Sequence, residues 1–145
     1  MSCSAVASAG LLWLAAATSN GAGPAPAPPP AALQQEPLFV DIVARAGRLK
    51  AEVAAFRNAA VSQGFKGEVA ELSALDMKAH ILLKERGTDG DLKCILKGIS
   101  EDLPLKLKVL EDAATAPARE TAVTDMAYLL NDNVEVITAP PAPPV

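Results

Sequence analysis

Residues 42–60 read IVARAGRLKAEVAAFRNAA, and the spacing of the apolar side chains in this stretch decides the fold class. Apolar positions recur at alternating steps of four and three residues, which is the period of one helix face. They are Ile42, Ala46, Leu49, Val53, Phe56 and Ala60. The stretch therefore predicts an amphipathic α-helix, and Pro37 is a suitable first residue for it.

The same period continues towards the C-terminus and predicts a second helix. Gly64 is interpreted as the glycine that ends the first helix, with Phe65 packing back on its last turn. The second helix is then expected to begin after Gly67 and to end at Gly87. Its apolar stripe comprises Val69, Leu72, Leu75, Ala79, Leu82 and Leu83.

Two further helices are predicted beyond Gly87. Thr88 and Asp91 have the spacing of a capping box at the start of the third, whose stripe comprises Leu92, Ile95, Leu96, Ile99 and Leu103. Pro104 either kinks this helix or begins a separate one. The fourth helix starts near Thr115 and Pro117, and its stripe comprises Ala122, Val123, Met126, Leu129, Leu130 and Val134. Residues 133–138 also alternate in polarity, so a short extended tail is the alternative there.

Four helices with short connections and no strand pattern predict an all-α fold, a small antiparallel up-and-down bundle. Two Pro/Ala-rich tracts, Ala22–Ala32 and Ala139–Val145, bracket every charged residue of the chain. We expect a signal peptide over residues 1–21, a polyproline-like linker over 22–35, the bundle over 36–138 and a disordered tail over 139–145.

The first segment resembles a secretory signal peptide. Its apolar stretch, Ala5–Ala17, is shorter than the roughly 20 residues that span a bilayer, and Ala15–Ala17 offers a small-residue cleavage site. It lacks the usual basic residues near its start. The prediction is export to the periplasm or outside the cell, with no transmembrane helix after cleavage. A cytoplasmic protein with an alanine-rich N-terminus is the alternative.

The charge balance excludes one class of partner. The chain has 13 basic and 17 acidic residues, a formal net charge of −4, and no run of one sign. Nucleic-acid binding needs a basic footprint, so we expect no nucleic-acid partner.

No residue pattern specifies a reaction, a metal or a cofactor. His80 is the single histidine of the sequence, and it is interpreted as an ordinary surface residue on a polar boundary. A zinc site needs three or four ligands, whereas His80 and Cys94 supply two. Asp89 and Asp91 begin like a calcium loop, but Lys93 occupies the next alternate ligand position. We therefore expect no catalytic residue, no metal site and no cofactor.

Cys94 has three interpretations. Removal of a leader containing Cys3 would make it the sole cysteine of the mature chain. It is then a buried small apolar side chain, half of a disulfide between two chains, or a reactive thiol. The sequence favours the first.

The second and third helices have apolar faces wider than one stripe. Ala70, Ala74, Met77 and Ile81 fall opposite the main stripe of the second helix, and Cys94 and Gly98 widen that of the third. Either these two helices are central in the bundle, or the extra face binds a partner. The candidate interaction face is Met77, Ile81, Cys94 and Gly98.

The functional hypothesis is a non-enzymatic protein that binds another protein or itself, a homodimer being the simplest case. The alternative is a carrier that holds a small ligand, a lipid or haem, between its helices.

Overall fold

The computed structural model describes residues 30–87 and 90–139. Four long helices make up most of them: α1 Pro37–Val53, α2 Gln63–Glu85, α3 Leu92–Asp112 and α4 Ala116–Thr138. A single helical turn, Pro30–Leu33, precedes α1, and the 3-10 turn Ala54–Arg57 extends it. These residues contain no strand, so the all-α prediction is confirmed. The predicted signal peptide and residues 140–145 lie outside the described part of the chain.

The helices form a four-cornered bundle in which neighbours run antiparallel. Helix α1 packs on α2 and α4, and α3 packs on the same two helices, so α2 and α4 stand at diagonal corners. Arg86, just after α2, makes two hydrogen bonds of 2.9 and 2.8 Å to Glu36, just before α1. Lys106 of α3 pairs with Asp125 of α4 at 2.8 Å. These cross-links fix the antiparallel register.

One apolar stripe of each helix faces a core that all four helices share. The largest fully buried side chains are Phe39, Phe65, Ile42, Leu49, Leu72, Leu96, Leu103, Leu110, Met126, Leu130, Ile137 and Val53. Burial of these side chains supplies the main stabilisation of the bundle, because each is worth roughly 1.5–3 kcal/mol when removed from water. The back face of α1 at Gly47, Ala51 and Ala55 is exposed, as expected of solvent-facing helix positions.

The predicted boundary between the first two helices is wrong. Helix α2 begins at Gln63, so Gly64 and Gly67 lie inside it. Ser62 caps it, its Oγ accepting a 3.0 Å hydrogen bond from the backbone N–H of Phe65. A serine cap satisfies one of the unpaired N–H groups of the first turn, and this outweighs the low helix propensity of the glycines. The expected packing of Phe65 on the end of α1 does occur, edge-on against Phe56 with 4.8 Å between ring centroids.

The structure also decides between the alternatives predicted for the ends of α2, α3 and α4. Gly87 ends α2 with a positive φ of 65°, a conformation that favours glycine. Helix α3 runs through Pro104 without a break, so it is one helix and not two. The extended alternative for residues 133–138 is wrong, because α4 continues to Thr138. The cap predicted at Thr88 lies outside the described residues.

The predicted linker also needs correction at its end. Pro30–Leu33 is a helical turn rather than a polyproline spacer, and Leu33 is buried in the core. Proline is tolerated at the first position of a helix. Gln34 then ties this turn to the end of α4, its amide donating to the carbonyl oxygen of Thr138 at 2.7 Å. The folded unit therefore begins before Glu36. None of the described helices is long and apolar enough to span a bilayer.

Candidate functional site

Within the described part of the chain, four polar residues are buried in an otherwise apolar interior. Asp76 and His80 lie on α2, Ser100 on α3 and Asn133 on α4. Asp76 and Asn133 have no exposed surface at all. Because α2 and α4 occupy diagonal corners, these two side chains meet across the middle of the bundle.

Asp76 and Asn133 are joined by one hydrogen bond. The amide Nδ2 of Asn133 donates to Oδ2 of Asp76 at 2.7 Å. The second oxygen of each group, Oδ1 of Asp76 and Oδ1 of Asn133, is buried without a hydrogen-bond partner. Removal from water raises the pKa of Asp76 to about 8, although the hydrogen bond from Asn133 acts to lower it. Burial therefore outweighs the hydrogen bond and favours the neutral acid.

His80 is not the surface residue that the sequence predicts. It is buried, and its Nδ1 lies 2.6 Å from the backbone carbonyl oxygen of Lys93 on α3. A carbonyl oxygen only accepts, so Nδ1 must carry the hydrogen. The prediction placed His80 on a polar boundary of α2, and that boundary faces α3 instead of solvent. The backbone contact gives His80 a structural partner on α3.

The predicted interaction face occupies two neighbouring helices. Ile81 on α2 is 47% exposed, Met77 is half-buried, and Ala70 and Ala74 beside them are exposed. No bundle helix covers this side of α2, so a central position in the bundle does not explain its width. We call Ala70, Ala74, Met77 and Ile81 the outer face of α2.

Cys94 and Gly98 are the part of the predicted face that lies on α3. Both are half-buried. Cys94 is disulfide-bonded, so it is neither the buried apolar side chain that the sequence favours nor a free thiol. A Cβ built on Gly98 would meet no described atom within 4 Å, so close helix packing does not require a glycine there.

Sequence reasoning missed Asp76 and Asn133, although a signal for both was present. Among the buried residues of α2, one series is Val69, Leu72, Asp76, Ala79 and Leu83, and among those of α4 one series is Val123, Met126, Leu130, Asn133 and Ile137. Both series have steps of three, four, three and four residues, the spacing of core positions in packed helices. Each series contains one polar residue, which is the pattern that could have identified the pair.

No group of three or more His, Cys, Asp or Glu side chains within residues 30–87 and 90–139 is arranged to hold a metal ion. Scans against protein-family models, curated proteins and solved structures each returned no match.

Proposed function

We propose that this protein is a non-enzymatic helical bundle that acts by binding another protein, or a second copy of itself, through the outer face of α2. One observation carries the proposal: this apolar side of α2 stays accessible although α2 already buries a complete stripe in the core. Exposed contiguous apolar surface is the usual mark of an interaction site.

The surroundings of the face support the same proposal. Lys78 and Lys84 on α2 are exposed on either side of it. An apolar centre with a charged rim is the common anatomy of a protein interface. The centre is small, and a stable interface needs about 800 Å² from each partner. The rim and neighbouring residues of α3 therefore belong to the proposed contact as well.

The buried polar pair does not favour an enzyme. A carboxyl group with a strongly raised pKa is a feature of many catalytic acids. Asp76, however, is completely enclosed, so a substrate would have no access to it. Its position supports a role in the architecture of the bundle.

The test uses two substitutions of matched exposure. Ile81→Asp places a charge in the outer face of α2, and Val40→Asp places one on α1 at a side chain that is 48% exposed, against 47% for Ile81. We expect Ile81→Asp to abolish self-association in light scattering or partner capture from the source cell, with helicity retained. Val40→Asp should bind as the wild type does. Equal loss in both variants, or a wild type that is monomeric and retains no partner, would contradict the proposal.

Two further measurements test the alternative function as a carrier and the proposed export. Native mass spectrometry of protein from its source cell would reveal a lipid or haem as added mass, which is the outcome expected of a carrier. Export is part of our proposal and rests on the sequence of the first segment. N-terminal sequencing of the mature protein should then begin after Ala17 or close to it, and a chain that still begins at Met1 would count against export. Such cleavage removes Cys3, the other cysteine of the sequence, so a disulfide of Cys94 in the mature protein would then join two chains.

A further inference from the structure

The centre of the bundle contains two buried oxygens that accept no hydrogen bond. An amide oxygen and a carboxylate oxygen cannot bond to each other unless one of them carries a hydrogen. Oδ1 of Asp76 and Oδ1 of Asn133 are both in this position, and each shares a planar end group with an atom of the existing 2.7 Å bond. One hydrogen placed on the carboxyl group would satisfy both.

We propose that Asp76 carries a proton on Oδ1 and donates it to Oδ1 of Asn133, so that acid and amide close a ring of two hydrogen bonds. We call this pair, Asp76 with Asn133, the proton clasp. It joins α2 to α4 across the diagonal of the bundle. With the proton present, both side chains are neutral and none of their oxygens lacks a hydrogen bond. Without it, the core contains an unpaired charge beside an unpaired amide oxygen.

The surrounding charged groups do not offer Asp76 another partner. At this level they are Arg45 and Lys50 on α1, His80 on α2, Lys97 on α3 and Asp132 on α4. Arg45 pairs with Glu71 at 2.7 Å through Nη1, and its buried Nε has no hydrogen-bond partner. Lys50 donates to Asn131 at 2.7 Å and Lys97 pairs with Glu101 at 2.6 Å. His80 is bonded to the carbonyl of Lys93. Burial, with Glu135 nearby, raises the pKa of Asp132, and an acid in either protonation state offers Asp76 no positive charge. The side chain of Asp76 hydrogen-bonds to Asn133 alone among the described residues.

The proton clasp makes the stability of the bundle fall as pH rises from acid towards neutral and slightly above. Loss of the proton turns Oδ1 of Asp76 into an anionic oxygen that faces another oxygen in a water-excluded interior. A buried unpaired charge is among the most destabilising changes that a core can suffer. The folded chain therefore holds this proton over a pH range in which the unfolded chain has released it, and its stability should fall through that range with a dependence of one proton.

Asp76→Asn tests the clasp, because an amide at this position keeps both hydrogen bonds without a titrating proton. Its Nδ2 would donate to Oδ1 of Asn133, and its own oxygen would accept from Nδ2 of Asn133. We would measure denaturant unfolding of the full chain from about pH 5 to about pH 9. Relative to the variant, the wild type should lose about tenfold in its folding equilibrium constant per pH unit, up to the pKa of the folded group. Asp41→Asn, at an exposed position of α1, is the control and should follow the wild type.

A second measurement uses the wild type alone, so it does not depend on folding of the variant. Carbon NMR of the Asp76 carboxyl group in the folded full chain should give the signal of a neutral acid at neutral pH. An ionised signal there, as expected if a water bridged the two oxygens, would overturn the clasp. So would parallel pH profiles for the wild type and Asp76→Asn.

Discussion

Ser73 donates a 2.7 Å hydrogen bond from its Oγ to the backbone carbonyl oxygen of Ser100, and that carbonyl is the one that Pro104 leaves unpaired. In a helix the N–H of residue 104 would bond to the carbonyl of residue 100, but proline has no N–H. Ser100 is buried, so its carbonyl needs a partner from another element. The hydroxyl of Ser73 on α2 supplies it, and the Oγ of Ser100 returns a 2.8 Å bond to the carbonyl of Ser73. This exchange explains how α3 continues through a proline.

The first prediction concerns the coupling between Ser73 and Pro104. Ser73→Ala should lower the free energy of unfolding by about 1–3 kcal/mol, because it leaves a buried carbonyl without a donor. Pro104→Ala should stabilise the protein, since it restores the N–H within α3. In the Pro104→Ala background the cost of Ser73→Ala should fall below about 1 kcal/mol. Denaturant unfolding of the four proteins measures the cycle. Additive effects of the two substitutions would show that the hydroxyl does not replace the missing bond.

The second prediction concerns two glycines with opposite roles, Gly67 inside α2 and Gly87 just after its end. Gly67 lies inside the helix, and a Cβ there would meet no described atom within 4 Å. Gly67→Ala should therefore raise the free energy of unfolding by about 0.5–1 kcal/mol. Gly87 has a φ of 65°, so Gly87→Ala should lower it by roughly 1–2 kcal/mol. Thermal unfolding of both variants gives the sign directly, and two shifts in the same direction would contradict the assigned end of α2.

The two glycines also show what the sequence reveals about the fold. Its apolar period identifies four helices correctly, because the period follows from the geometry of the helix itself. The sequence misplaces the start of α2 because Gly64 and Gly67 suggest a break, whereas the cap at Ser62 begins the helix before both glycines. His80 is wrongly predicted to be a surface residue, because the apolar period of one helix does not show which neighbouring helix covers the edge of its stripe. Packing between helices decides that, and it involves residues distant in sequence.

The candidate site could be predicted only in part. The apolar breadth of α2 is visible in the sequence, and the structure leaves that side accessible at Ile81. Asp76 and Asn133 occupy core positions of the periodic pattern, but they are 57 residues apart. Their contact depends on α2 and α4 standing at diagonal corners. Sequence spacing within one helix carries no information on that arrangement.

The third prediction concerns Arg119, which joins the two connections at one end of the bundle. Its guanidinium donates to the carbonyl of Ala113 at 2.9 Å and to those of Phe56 and Ala59 at 3.4 Å each. Lysine keeps the charge but lacks the planar fork of donors. Arg119→Lys should therefore lower the free energy of unfolding by about 1–2 kcal/mol.

Hydrogen exchange provides a local measurement of the same effect. Amides of the connection between α1 and α2 should exchange faster in Arg119→Lys than in the wild type. The control is Arg48→Lys, where the arginine is 58% exposed and lies 3.5 Å from Glu68. Exposed ion pairs contribute roughly 0–1 kcal/mol, so this variant should resemble the wild type. A comparable loss in both would mean that the carbonyl contacts of Arg119 contribute little.

The fourth prediction concerns pH, and its sign follows from Asp76. The pKa of this group is about 8 in the folded chain and 3.8 when the group is unperturbed. Between these values the folded state binds the proton and the unfolded state does not. The contribution of Asp76 to the free energy of unfolding is therefore complete below about pH 4. It falls by about 1.4 kcal/mol per pH unit until about pH 8. Glu36 changes the stability in the opposite sense, because its hydrogen bonds from Arg86 lower its pKa. Its smaller contribution to the free energy of unfolding is lost as the pH falls.

Asn133→Asp should make this dependence steeper. Two carboxyl groups would then share the centre of the bundle, and in acid both are protonated and can bond to each other as neutral groups. The folded variant would retain two protons that the unfolded chain releases near pH 4, so its stability should fall by up to about 2.7 kcal/mol per pH unit above that value. Like charges this close cannot both ionise without opening the core. Denaturant unfolding at several pH values measures the slope. A slope no steeper than that of the wild type would show that the folded variant retains only one proton at this site.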